Sequence, residues 1–206
     1  MECDWEVEIG GDAPVIDACW DGFVDLRFDP ESARELPEAA DLPGLAEALI
    51  RLNGLHSPVR TSKCDVWPVF DSDLDADELD APADEATQGW ACYIDLLPQI
   101  EAASIEANRI EAAGIEASSR ARTSTNSAVR WCKVSCERLR AVPLTHCRVD
   151  LIVRQAVTAP EDTMVPDHGI TAYLTACGGS SESANAILSR ALKAFAHTIS
   201  PDSTVE

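Results

Sequence analysis

No stretch of this chain approaches the roughly 18 consecutive apolar residues that a bilayer-crossing helix needs. Its opening, MECDWEVEIG, is acidic where a secretory signal is basic and then apolar. The expected location is therefore the cytoplasm, with no membrane association. Positive charge is also scarce, with 16 Lys and Arg against 36 Asp and Glu and a net charge of −20. Nucleic-acid affinity comes mostly from Lys and Arg neutralising phosphates, so a nucleic-acid partner is not expected. The Lys of a P-loop and the spaced glycines of a dinucleotide fold are both missing. The four histidines, His56, His146, His168 and His197, are scattered along the sequence. No catalytic constellation and no cofactor is legible, and the reading leans away from an enzyme.

Cysteine is not lacking: eight stand at positions 3, 19, 64, 92, 132, 136, 147 and 177. In a chain of 206 residues without an export signal, most of them inside apolar segments, they are expected to be reduced and packed as small hydrophobes. Charge is unevenly spread, since 24 of the 36 acids but only 5 of the 16 bases fall in the first 100 residues. The segment from Arg120 to Arg154 reverses the balance, with Arg130, Lys133, Arg138 and Arg140 at its centre. These four are candidate interface residues, expected to face the acidic first half within the chain or across a dimer.

Hydrophobic periodicity supplies the elements. WEVEI, APVIDACW and GFVDLRF read as three short strands, a β-meander. Pro30 to Pro43 reads as a surface connection. Asp41 offers a helix cap, Pro43 suits a first turn, and Leu45, Leu49 and Leu52 recur at helical spacing until the Asn53-Gly54 stop. A strand over Ser57 to Phe70, an acidic loop and the strand GWACYIDLL follow. Beyond residue 126 come a helix near 127–141, the strand HCRVDLIVRQAV, a loop with Pro160 and Pro166, the strand GITAYLTAC and a last helix from about Ser183 to Thr198. That helix carries the apolar stripe Ala184, Ile187, Leu188, Ala191, Leu192 and Phe195.

Residues 1–98 and 127–200 repeat one order, a helix followed by two strands, with Tyr93 matching Tyr173 and Cys64 matching Cys147. The expected fold is a single α+β domain of two pseudo-duplicated halves, a largely antiparallel sheet with helices packed on one face. Between the halves, residues 100–126 read as an exposed insertion and linker. It opens with IEAASIEANRIEAAGIEASS, four units of period five. Five residues turn a helix by about 500°, so the isoleucines visit all its sides, and in a strand they alternate between faces. The period resembles that of pentapeptide-repeat proteins. The flanking Ala103, Asn108 and Ala113, and Ser104, Arg109 and Gly114, depart from that family's pattern, and four units complete about one coil where several must stack.

Three groups of residues could carry chemistry. Gly178, Gly179, Ser180 and Ser181 lie between a strand and a helix N-terminus, where free backbone N–H groups can hold a phosphate. With Tyr173 or His168 nearby, this would serve a small-molecule or nucleotide enzyme. The competing structural role is a turn with Ser181 or Ser183 as the helix cap. Cys132 and Cys136, one helical turn apart, could bind zinc with Cys147, or simply form a core face with Ala128 and Leu139. The segment DSDLDADELDAPADE begins like a calcium loop, but Ala76 stands where the turn needs Gly and Pro82 where the bidentate Glu belongs, leaving a solvated acidic loop. The leading expectation is a non-enzymatic protein-binding or assembly module, acting on a protein partner or by self-association. A nucleotide enzyme and a zinc protein are the alternatives.

Overall fold

The computed structural model describes residues 1–11, 14–17, 22–99, 117–158 and 165–201. The chain is α+β; among the described residues six strands form one mixed sheet and there are three α-helices. The elements are β1 (Glu2–Val7), β2 (Val15–Asp17), α1 (Pro43–Leu52), β3 (Val59–Val69), β4 (Gln88–Pro98), α2 (Ala117–Arg140), β5 (Cys147–Thr158), β6 (Val165–Gly178) and α3 (Ser181–Ile199). The strand order is β1-β5-β6-β4-β3, and β2 also pairs with β5. β3, β4, β6 and β5 are antiparallel to one another, whereas β1 and β2 run parallel to β5.

Alternation along each strand decides what faces the helices. Cys92, Ile94 and Leu96 of β4, Ile170, Ala172, Leu174 and Ala176 of β6, and Cys147, Val149, Leu151 and Val153 of β5 are buried in one core. The same core takes Leu45, Leu49 and Leu52 of α1, Ala128, Cys132, Cys136 and Leu139 of α2, and Ile187, Leu188, Ala191, Leu192 and Phe195 of α3. All three helices therefore cover one face of the sheet. The α3 stripe lies as its spacing predicts, but its cap is Ser180, whose hydroxyl accepts from the Ser183 N–H at 3.2 Å, rather than Ser181 or Ser183. At the end of α1, Asn53 is buried. Its amide donates to the Leu49 carbonyl and to the Thr61 hydroxyl, both at 2.8 Å, and its carbonyl accepts from the Thr61 N–H at 3.0 Å. The helix stop is thus also a clamp onto β3.

Several local expectations are corrected. The β-meander does not form: β1 and β2 lie end to end along β5, and the chain after Gly22 turns rather than extends. Arg27 holds that turn by donating from its backbone N–H and its side chain to Asp25. Residues 30–39 are the surface connection expected, shaped as two 3-10 turns that tuck Ala33 and Ala39 into the core. Leu42, not Asp41, occupies the cap position of α1. α2 begins ten residues before the expected helix, so residues 117–126 are helical where a linker was expected. Repeat residues 100–116 lie outside the described residues.

The two halves meet at β4 and β6, where Tyr93 stands directly opposite Tyr173. Asp65 is opposite Tyr93 and Asp150 is opposite Tyr173, so one row of the sheet reads Asp65, Tyr93, Tyr173, Asp150 across four strands. The tyrosine correspondence holds in register; the cysteine correspondence does not. Cys64 pairs with Ile94, one residue past Tyr93, while Cys147 pairs with Ala176, three past Tyr173.

The sheet is curled toward its helix-free side. β2, on the outer edge of β5, reaches over to β3 at the opposite edge, where the Ser62 hydroxyl donates to the Ile16 carbonyl. Val15, Leu97 and Ala156 form a small second core inside the curl. At the helix layer, α1 crosses α3 so closely that a Cβ at Gly44 would lie 2.5 Å from the Ser189 Cα and carbonyl oxygen. Gly44→Ala is expected to destabilise the fold by about 1–3 kcal/mol through this overpacking. Gly179→Ala, at a position with nothing within 4 Å, should change stability by less than about 0.5 kcal/mol. Urea denaturation of the two variants checks the contrast.

Candidate functional site

The face of the sheet turned away from the helices is concave and carries the polar and aromatic half of each alternating strand. Three rings cross it in sequence. Trp67 on β3 lies 6.2 Å from Tyr93 on β4, and Tyr93 lies 6.0 Å from Tyr173 on β6, each pair tilted by about 50°. The row continues to β5, where the Arg154 guanidinium stands 5.8 Å over the Tyr173 ring. Tilted pairs at this separation suit the ring quadrupoles, and a guanidinium over a ring face gains from the same charge distribution. Arg154 is oriented from the far side by Glu8, on the segment that follows β1.

Beside the rings sits a carboxyl group that has lost most of its water. Asp95 of β4 is only 7% exposed and accepts a hydrogen bond of 2.6 Å from the Thr171 hydroxyl on β6, its cross-strand neighbour. Burial pushes its pKa above the ordinary carboxyl value, against the Thr171 hydrogen bond and the nearby charges of Lys63 and Arg154. Tyr93 is pushed up to about 12, first by burial and then by the carboxylates of Asp95 and Asp65. At neutral pH it keeps its proton and remains a hydrogen-bond donor. A hollow lies on each flank. One, of about 330 Å³, is bordered by Asp4, Glu6, Arg148, Asp150 and Tyr173. The other, of about 510 Å³, opens beside Tyr93 and Lys63 and has Phe23, Leu26 and Leu36 on its apolar wall.

The residues singled out from sequence are placed elsewhere. At the glycine turn, the cap position of α3 is filled by Ser180, and the Ser181 hydroxyl accepts from the Trp90 indole N–H at 2.9 Å. Tyr173 lies five residues up the strand from Gly178, roughly 17 Å away at strand rise, and His168 lies about twice as far. Neither reaches the turn, so an enzyme built on them loses its side chains. His146 borders the turn instead, in a left-handed conformation (φ 64°), with its ring held by Glu85 and Thr145.

Cys132 and Cys136 form a core face on α2 and do not meet Cys147. Cys136 lies against Cys3, and Cys147 is on β5 with the α3 residue Arg190 close enough to act on its charge. Among the described residues there is no group of three or more His, Cys, Asp or Glu that could hold a metal ion. Burial pushes Cys147 up to about 11 and Cys64 and Cys132 up to about 12, which keeps these thiols protonated and poor as nucleophiles.

The basic segment does face the acidic half, within the chain. Arg140 donates to the Cys3 carbonyl at 2.8 Å and stands 3.9 Å from Asp4, Arg148 reaches Glu78, Arg154 meets Glu8, and His146 meets Glu85. Of the candidate interface residues, Lys133 lies 5.2 Å over the Trp5 ring, and Arg130 and Arg138 are exposed on α2. The acidic loop between β3 and β4 is folded rather than merely solvated. Leu79 is buried, the Asp75 carboxylate accepts from the Asp77 and Glu78 N–H groups, and Glu78 and Glu85 tie it to β5 and to the start of that strand.

Sequence reasoning used Tyr93 as a landmark of duplication and Tyr173 as that and as a neighbour of the glycine turn, and missed Asp95, Thr171, Trp67 and Arg154 as a group. The available signal was the single carboxylate inside the apolar run WACYIDLL, which a strand cannot bury without giving it a partner. Comparison with protein families, characterised proteins and solved structures finds no match for this chain.

A raised pKa for Asp95 in the folded state means that folding favours its protonated form. Its favourable contribution is complete below the unfolded carboxyl value of 3.8 and is lost as pH rises through the higher folded value. Asp95→Asn keeps an acceptor for Thr171 and removes the charge. It is expected to raise the melting temperature at pH 7, with the gain over the parent shrinking as pH falls toward 4. Thermal melts across that range test it.

Proposed function

We propose that this protein is a non-enzymatic binding module that takes a protein partner on the concave face of its sheet, through an extended segment rich in Lys and Arg. The observation that carries this reading is the row Asp65, Tyr93, Tyr173, Asp150, which already holds two cations of the chain itself. Arg154 stands over the Tyr173 ring and Arg148 lies on the Asp150 carboxylate at 2.8 Å, with Asp65 and Tyr93 continuing the same chemistry beside them. Rings attract cations through their quadrupole, and carboxylates add charge-assisted hydrogen bonds, so the row has the chemistry of a cation-accepting surface. Asp4 lies opposite Asp150 on β1 and extends the acidic side of the row. The net charge of −20 acts in the same direction at long range, drawing cationic partners and repelling polyanions. The absence, among the described residues, of a helix long and apolar enough to cross a membrane fits a partner that is not the bilayer interior.

The reading also accounts for the chemistry of the face. Tyr93 and Asp95 are shifted in the direction that keeps protons on, the Thr171 hydroxyl that meets Asp95 is itself buried, and burial holds the nearby Cys64 thiol protonated. Such groups recognise a ligand better than they transform one.

Titration calorimetry of the full chain with a Lys/Arg-rich peptide and with an acidic peptide of equal length is the direct test. The basic peptide is expected to bind and the acidic one to fail. Tyr93→Ala and Tyr173→Ala should each weaken binding by about tenfold, the scale of one lost cation–ring contact with its hydrogen bond. Equal binding of both peptides, or indifference to both substitutions, would refute the reading.

A further inference from the structure

Cys3 on β1 and Cys136 on α2, 133 residues apart in sequence, face each other inside the core with their sulfurs 2.8 Å apart. They are 3% and 1% exposed. That spacing discriminates among the relations two cysteines can have. Two thiolates on one tetrahedral zinc, each about 2.3 Å from the metal, stand roughly 3.7 Å apart, so 2.8 Å leaves no room for a shared ion. The separation is longer than the roughly 2.05 Å of a covalent bond but closer than a thiol–thiol hydrogen bond allows, so the two sulfurs need approach by less than about 1 Å to join. We propose that Cys3 and Cys136 are a site of reversible oxidative modification, forming a disulfide that staples β1 to α2.

The surroundings give the two sulfurs unequal roles. Contact with the Cys3 sulfur, and next the charge of Arg140, hold the Cys136 pKa below the usual thiol value, whereas the same contact and burial push Cys3 upward. Arg140, one helical turn beyond Cys136 and donating to the Cys3 carbonyl at 2.8 Å, sets a positive charge beside the pair, so the first step takes Cys136 as the attacking sulfur once its proton leaves the Asp4 carbonyl. With hydrogen peroxide as oxidant, the Cys136 thiol gives up its proton and the thiolate attacks one peroxide oxygen. The O–O bond breaks, its electron pair leaves on the other oxygen and takes up a proton as water, and Cys136 becomes a sulfenic acid. The Cys3 sulfur then attacks the sulfenic sulfur, the S–S bond forms, the S–O bond breaks, and the hydroxyl departs as water with the Cys3 proton. Two thiols and one hydrogen peroxide give one disulfide and two waters.

Access follows from topology. β1 is the edge strand of the sheet, held by β5 on one side only, and edge elements open at lower cost than the centre. Cys132, one turn before Cys136 and fully buried, has no such sulfur contact among the described residues and serves as the internal control.

The test is hydrogen peroxide treatment of the reduced full chain under native conditions, followed by alkylation in denaturant and peptide mapping. The expected product has lost two hydrogens, links the Cys3 and Cys136 peptides, melts roughly 5–15 °C higher than the reduced chain, and returns to it with dithiothreitol. Cys136→Ala should abolish the link and Cys132→Ala should leave it. If Cys136→Ala fails to fold, the map of the unsubstituted chain decides alone. Recovery of Cys3 and Cys136 as alkylated thiols, Cys136 trapped as an oxidised acid beside a free Cys3, or Cys136 joined to another cysteine would each overturn the proposal.

Discussion

Everything that meets on either side of this sheet depends on the register between β4 and β6. With Tyr93 opposite Tyr173, the residues Cys92, Ile94 and Leu96 share a face with Ile170, Ala172 and Leu174, and that face receives the helices. Because side chains alternate with a period of two, a slip of one residue in either strand would turn Asp95 or Thr171 into the apolar core and expose Ile94 or Leu174. The Asp95–Thr171 hydrogen bond across the pair reinforces the same alignment. Neither outer strand could correct an error here, since β3 takes its alignment from β4 and β5 takes its own from β6.

Charge is organised by the same frame. The basic segment spanning α2 and β5 is answered by acids of the first half at Asp4, Glu8, Glu78 and Glu85. Partly exposed pairs of this kind add little stability, but they fix how the acidic loop and β1 lie against β5. With most Arg side chains of the sheet engaged internally, the surplus negative charge is left for the outside world.

The class of the fold was legible because it rests on periodicity. The α3 stripe, the alternation in β4 and β6, and the helix opened by Pro43 and closed by Asn53-Gly54 all lie where pattern put them. Pairing was less legible. The alternation of WEVEI identifies a strand without naming its neighbour, and the neighbour is 146 residues away, so local order alone suggested a meander. GFVDLRF alternates too, but Asp25 and Arg27 bond to each other and bend it. The Ser, Thr and Arg residues before 127 carry no apolar stripe, which is why the first ten residues of α2 read as a linker. The candidate site was hidden for a related reason: Asp95, Thr171, Tyr173 and Arg154 come from three strands, and only the register brings them together.

The parallel pairing of β1 with β5 has a consequence for birth on the ribosome. β1 leaves the exit tunnel before β5 and must wait for about 150 further residues before its ladder partner exists, roughly 8–30 s at ordinary elongation rates. During that interval it is an unpaired strand with apolar residues on one side. Glu2, Asp4, Glu6 and Glu8 occupy its other side. Like charges repel when two such strands approach, so this alternation keeps nascent copies on one messenger from pairing with each other before the true partner arrives.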